Sequence, residues 1–120
     1  MDLEYFSFYE FDSPDLPGSG KRFMDLEFMS LIDDARGIAG IPFRITSGYR
    51  TPSHNAIVGG VEDSSHTRGL AADIYTPDGR HRWLIVDALI KVGFNRIGIA
   101  DSFIHVDNDP EKTQNVIWTY

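Results

Sequence analysis

Ser64-Ser65-His66-Thr67-Arg68-Gly69-Leu70-Ala71-Ala72-Asp73 sets an imidazole and a carboxylate seven residues apart across a glycine. From Leu70 to Tyr75 the chain is apolar apart from Asp73, so it reads as a buried strand that carries one carboxylate and must supply it with a cation or a donor. Strand alternation places Ala71 and Asp73 on one side and Leu70, Ala72 and Ile74 on the other, which surrounds Asp73 with small residues and leaves room beside it. A second imidazole arrives in Phe103-Ile104-His105-Val106-Asp107, where Phe103, His105 and Asp107 share a face. If these two strands pair, Asp73 and His105 are neighbours on one face. His66, Asp73 and His105 then form a three-ligand set that leaves a fourth position on one zinc ion for water, the arrangement that hydrolytic zinc requires.

The bulk properties agree with an ordinary folded domain. The chain has 120 residues, 42% hydrophobic and 12% aromatic, which is enough for a core and points to one domain over residues 1–120. A net charge of −7 argues against phosphate binding, so nucleic acid is not an expected partner. With no cysteine, a transition metal must be held by nitrogen and oxygen. The acidic start Met1-Asp2-Leu3-Glu4-Tyr5 lacks the basic residues and apolar run of a secretion signal, and no segment has transmembrane length. A monomer made in the cytoplasm, with no membrane partner, is the expectation.

Working outward, residues 1–22 read as an aromatic arm and loop: five aromatics crowd Tyr5 to Phe11, and two prolines and two glycines follow between Asp12 and Gly20. Aromatics mostly serve burial, so this arm is expected to cover the core. Phe28, Leu31, Ile32, Ala35, Ile38 and Ala39 recur at helical spacing, with Gly40 and Pro42 as stop signals. Phe43 to Thr46 reads as a short strand delivering Ser47-Gly48-Tyr49-Arg50 at its end, and Thr51-Pro52 opens a short helix running to about Val58. His54 on that helix has no partner at ligand spacing and is left outside the site. Asp78 caps a further helix with Leu84, Ile85, Ala88, Leu89 and Val92 on its apolar face. Arg96 to Ala100 is a strand, Asp101-Ser102 the turn into the His105 strand, and Val116-Ile117-Trp118 a last strand or covering tail. The order predicts an α+β fold with helices packed on a small, mainly antiparallel sheet.

Three motifs in this order carry a resemblance. The spacing Ser64-x-His66-x-x-Gly69-x-Ala71-x-Asp73, with Ser47-Gly48-Tyr49-Arg50 before it and Phe103-Ile104-His105-Val106-Asp107 after it, resembles the zinc D-Ala-D-Ala carboxypeptidase family. That family includes phage endolysins and shares the hedgehog-type fold, and the likeness runs from about Glu10 to Tyr120. It implies one zinc ion on His66, Asp73 and His105, and a peptidoglycan stem peptide as substrate, cut as a carboxypeptidase or an endopeptidase. It also implies that the arm helps to form the groove and that Arg50 lies beside the scissile carbonyl, where its donor fork suits a carboxylate or an oxyanion. Tyr49 and Ser64 fall on the substrate side, and Ser64 is also placed to steady His66. A phage origin would bring the protein to the cell wall through a holin.

A buried Asp-His pair without metal competes with this reading, but the third ligand at fixed spacing, within the family pattern, favours the metal. The proton carrier stays open. Enzymes of the family commonly have an acidic residue three positions before the last ligand, and here that position is Ser102. Asp107 is the nearest candidate for acid or base, and orienting His105 is an equally good role for it. The alternative function is a zinc-bearing binding or structural module without catalysis.

Overall fold

The computed structural model describes residues 1–120. The two short apolar runs pair as the alternation predicts: β2 (Ala71–Tyr75) lies antiparallel to β4 (Phe103–Asp107), with Asp73 opposite His105 and Ala71 opposite Asp107. Around this pair stand β1 (Ile45–Ser47), β3 (Arg96–Ile99) and β5 (Val116–Thr119), in the order β1-β2-β4-β3-β5. The pairs β1–β2 and β3–β4 are antiparallel and β3–β5 is parallel. The result is a mainly antiparallel five-stranded sheet in an α+β fold.

Because side chains alternate along each strand, the sheet has two chemically different faces. Ala72, Ile74, Ile97, Ile104 and Val106 point to one of them and are buried in the core. That face is covered by α2 (Leu26–Ala39), through Phe28, Met29 and Ile32, and by α4 (Gly79–Lys91), through Ile85, Ala88 and Leu89. Both helices are capped by an aspartate, that of α4 as the sequence implies. The Asp25 carboxylate accepts from the Phe28 N–H at 2.9 Å and the Asp78 carboxylate from the His81 N–H at 2.8 Å, each stabilising its helix start by about 1 kcal/mol. The opposite face carries the polar residues Asp73, His105 and Asp107, so the apolar layer leaves the site on a rigid, helix-backed surface.

The arm covers the core, as its aromatic content suggests, with Phe6 and Phe11 buried and stacked edge to face at 5.3 Å. It does not end in an unstructured loop. A 3-10 turn spans Phe8–Phe11 and a five-residue helix, α1 (Ser19–Phe23), follows the proline-rich stretch. The Asp12 carboxylate makes this possible by accepting from the N–H groups of Gly18 (2.9 Å) and Gly20 (2.7 Å) across the turn. The first strand also starts later than Phe43 and extends to Ser47, with an irregular register between Ile45 and Ser47 that sets Ser47 opposite Asp73. Thr51 caps α3 (Pro52–Ile57), one residue shorter than expected.

Candidate metal centre

One row of residues crosses the polar face of the sheet. Ser47 on β1 stands opposite Asp73 on β2, Asp73 opposite His105 on β4, His105 opposite Gly98 on β3, and Gly98 beside Trp118 on β5. His66 reaches this row from outside the sheet, on a 3-10 turn (Ser65–Arg68) that the Ser64 hydroxyl caps by accepting from the His66 N–H. Gly69 ends that turn at φ +70°, and a Cβ there would strike the Phe23 carbonyl, so glycine is required twice over. The turn is further tied to Ser47-Gly48-Tyr49-Arg50, since the Arg50 N–H donates to the His66 carbonyl at 3.1 Å.

His66, Asp73 and His105 are all buried, and one ligand atom from each lies within 4.8 Å of the others. His66 Nε2 is 3.3 Å and His105 Nδ1 3.1 Å from the same carboxylate oxygen, Asp73 Oδ1. The opposite ring nitrogens are already committed. His66 Nδ1–H donates to the Gly48 carbonyl at 2.8 Å and His105 Nε2–H to Asp107 Oδ2 at 2.7 Å, tautomers assigned from those partners. In these neutral tautomers three lone-pair atoms face one another with no proton between them, so the cluster calls for a cation. Without a metal the alternative is a proton on an imidazole shared with Asp73, and the acid-base balance describes that state. Burial alone would raise the Asp73 pKa, but hydrogen bonds from His105 and His66 reverse this and hold its carboxyl well below the usual range. Burial alone would lower the His105 pKa, but hydrogen bonds to Asp107 and Asp73 outweigh it and raise it. Two imidazoles, one carboxylate and a backing partner on each imidazole fit a zinc-type ion.

Arg50 stands at the edge of this cluster, half-buried and held in three places. Its Nε donates to Ser47 Oγ at 2.9 Å, Nη1 to Asn55 Oδ1 at 3.2 Å and Nη2 to Asp73 Oδ2 at 3.4 Å. A cavity of about 390 Å³ opens over the cluster, and Val58, Val61, Phe103, Trp118 and Tyr120 are among its lining residues. Arg50 and Ser64 both line it, whereas none of the arm's residues does. His54 stays outside the ligand group.

Two of the sequence candidates stand apart from the rest of the site. Tyr49 does not line the cavity: its ring is 7% exposed, belongs to the core and stacks on Phe23 at 4.8 Å. Its backbone N–H donates to the Phe11 carbonyl, which turns the side chain inward and leaves Arg50 to face the cavity. Asp107 is the other. Its carboxylate lies behind the His105 ring, 1% exposed, with Oδ2 on His105 Nε2 and Oδ1 shared by Arg96 Nε at 2.7 Å and the Asp109 N–H at 3.1 Å. Burial would raise its pKa, but His105 and Arg96 overcome this and lower it, so it stays ionised and has no free oxygen for a shuttled proton. This geometry favours orientation of His105. Asp107→Asn is accordingly expected to weaken zinc affinity about 10 to 100 fold, with activity returning in excess zinc. A drop of about two to four orders of magnitude in rate at full zinc occupancy would restore the acid-base role.

A family model described as peptidase M15 matches residues 12–107, a span that contains every ligand and the Arg50 turn. The chain belongs to the peptidase M15 family. No curated protein matches the chain significantly. Membership in M15, a family of zinc D-Ala-D-Ala carboxypeptidase-like enzymes, supports a metallopeptidase with a peptide substrate, and the buried His66–Asp73–His105 group supplies the place for a metal. No helix is long and apolar enough to cross a membrane.

Arg96, Asn55 and Trp118 were not singled out by sequence reasoning, although each touches a group that the site uses. Arg96 alone had a readable signal. It is the one charge in the strand Arg96–Ile99, at even spacing from Gly98, and such a residue must find a buried partner.

Proposed function

We propose that this M15 chain is a zinc peptidase that hydrolyses peptidoglycan stem peptides, and that His66, Asp73 and His105 are its metal ligands. The observation that carries this reading is the convergence of His66 Nε2, Asp73 Oδ1 and His105 Nδ1 on one point at the floor of an open cavity, each imidazole fixed from behind. A zinc ion held there supplies an activated water and a Lewis acid for a peptide carbonyl. The remaining work falls to the chain. Gly48 and Asp107 keep the two imidazoles in the tautomers that present lone pairs inward. Arg50 donates to the oxygen of the scissile carbonyl as negative charge develops on it, and Ser47 and Asn55 keep the guanidinium aimed. Tyr120 also lines the cavity, where its phenol serves as a hydrogen-bond donor to the peptide. Ser64, which lines the cavity, is the proposed contact for a substrate backbone.

A second reading has one observation in its favour. Ser102 occupies the position where such enzymes commonly carry an acid, it is exposed in the turn before β4, and it does not line the cavity. A zinc-bearing binding module would look the same. A zymogram on cell walls separates the two: clearing that is lost with chelator and restored by zinc is expected for the peptidase. No clearing at any zinc level, with clearing gained by Ser102→Asp, would leave the binding module.

A further inference from the structure

The family match ends at Asp107, yet β5, nine residues further on, reaches the ligand row. Neighbouring strands lie about 4.8 Å apart, so side chains on β4 and β5, with β3 between them, start nearly 10 Å apart and normally do not meet. Here they do. His105 and Trp118 are both opposite Gly98, and their ring centroids are 5.4 Å apart at 50°. The glycine is the reason. A Cβ on Gly98 would lie 2.6 Å from Trp118 Nε1 and 2.7 Å from its Cε2, so only a residue without a side chain lets the indole lean across β3 to the imidazole. The same indole has the Arg96 guanidinium 5.0 Å from its ring, and Arg96 Nε holds the carboxylate that orients His105.

We propose that Trp118 is a positioning residue of the metal centre, admitted by Gly98, which seats the His105 ring laterally and steadies the Arg96–Asp107 pair behind it. A ring anchored at its Cβ and at Nε2 can still turn about the line between them, and an aromatic wall on its flank opposes that turn. The proposal rests on the metal reading of His66, Asp73 and His105. It makes β5, outside the matched residues, part of the site.

The test is zinc affinity of the full chain measured without substrate, by competition with a chromophoric chelator. Trp118→Leu is expected to weaken zinc about tenfold, in the range for loss of a partner that orients a ligand. Trp118→Phe keeps an aromatic wall and should recover most of the affinity, a rescue that loss of edge-strand packing alone would not give. Gly98→Ala, which drives the indole off the imidazole, should reproduce the Trp118→Leu defect. As a reading that does not depend on the Trp118 variants' folding, Trp83→Phe leaves Trp118 as the lone indole, and its emission should change when zinc or cobalt is added. If the wild type binds zinc and Trp118→Leu binds it within twofold as tightly, the inference is overturned and the metal site stands. An unresponsive emission in zinc-loaded Trp83→Phe overturns it as well. Failure of the wild type to bind zinc at all overturns both readings.

Discussion

Asp73→Ala is expected to remove nearly all bound zinc from the purified chain and to take hydrolysis to background. Asp73 is the carboxylate that both imidazoles face, at 3.3 and 3.1 Å, and it also receives Arg50 Nη2. Without it two neutral imidazoles remain, below the three protein ligands typical of catalytic zinc. His66→Ala and His105→Ala should behave alike, because each also breaks the group of three. The measurement is zinc content by atomic absorption after dialysis against metal-free buffer, and full occupancy in any of the three proteins would sink the assignment. Stability gives a second readout. A metal bound only by the folded state stabilises it by about 2.7 kcal/mol at a free concentration one hundred times its Kd. For a chain of this size that corresponds to ~10 °C in Tm, so chelator should lower the wild-type Tm and leave the Asp73→Ala Tm unmoved.

Most of the sheet and the three residues of the candidate metal cluster were legible because they follow local rules. Asp73 and His105 are polar exceptions in two short apolar runs, alternation puts each on a defined face, and antiparallel pairing makes them neighbours. His66 was legible through spacing alone, since its capped turn and Gly69 are local in sequence. What escaped depends on groups distant in the chain. Helix α1 forms where glycines and a proline read as loop, because Asp12 supplies two acceptors that no periodicity rule registers. Tyr49 and Arg50 are adjacent in one turn, and only the Phe11 carbonyl decides which of the two faces the cavity. Asp107 shares a strand face with His105, as alternation says, but its second oxygen is held by Arg96 on the next strand, a partner that no local pattern announces. Trp118 reaches the site across a strand through the gap at Gly98, a contact visible only once the register of β3 between β4 and β5 is known.

Arg50 shows how far the sequence and the structure each carry a catalytic assignment. By residue type alone it reads as a solvated arginine, since most are. Its surroundings are not those of a solvated side chain. Two neutral acceptors, Ser47 Oγ and Asn55 Oδ1, hold the guanidinium from below, and Asn55 is itself fixed by donating to the Val61 carbonyl at 2.7 Å. Such preorganisation is what makes a donor effective at a developing oxyanion, because nothing has to reorient as charge appears. Arg50→Ala is therefore expected to keep zinc and the fold and to lose on the order of a hundredfold in kcat, the usual cost of deleting one oxyanion donor. The loss should fall on kcat more than on KM, since the interaction strengthens only as charge builds on the oxygen. Arg50→Lys should recover little of it: an ammonium cannot bond Ser47 and Asn55 together while reaching the carbonyl, as the planar fork does. Asn55→Leu separates aim from charge. It leaves the guanidinium but removes one of its two neutral anchors, so a smaller loss in kcat with zinc content unchanged is expected. Turnover equal to wild type in a zinc-loaded Arg50→Ala protein would return Arg50 to a structural role and leave the charge on the carbonyl oxygen to be met without it.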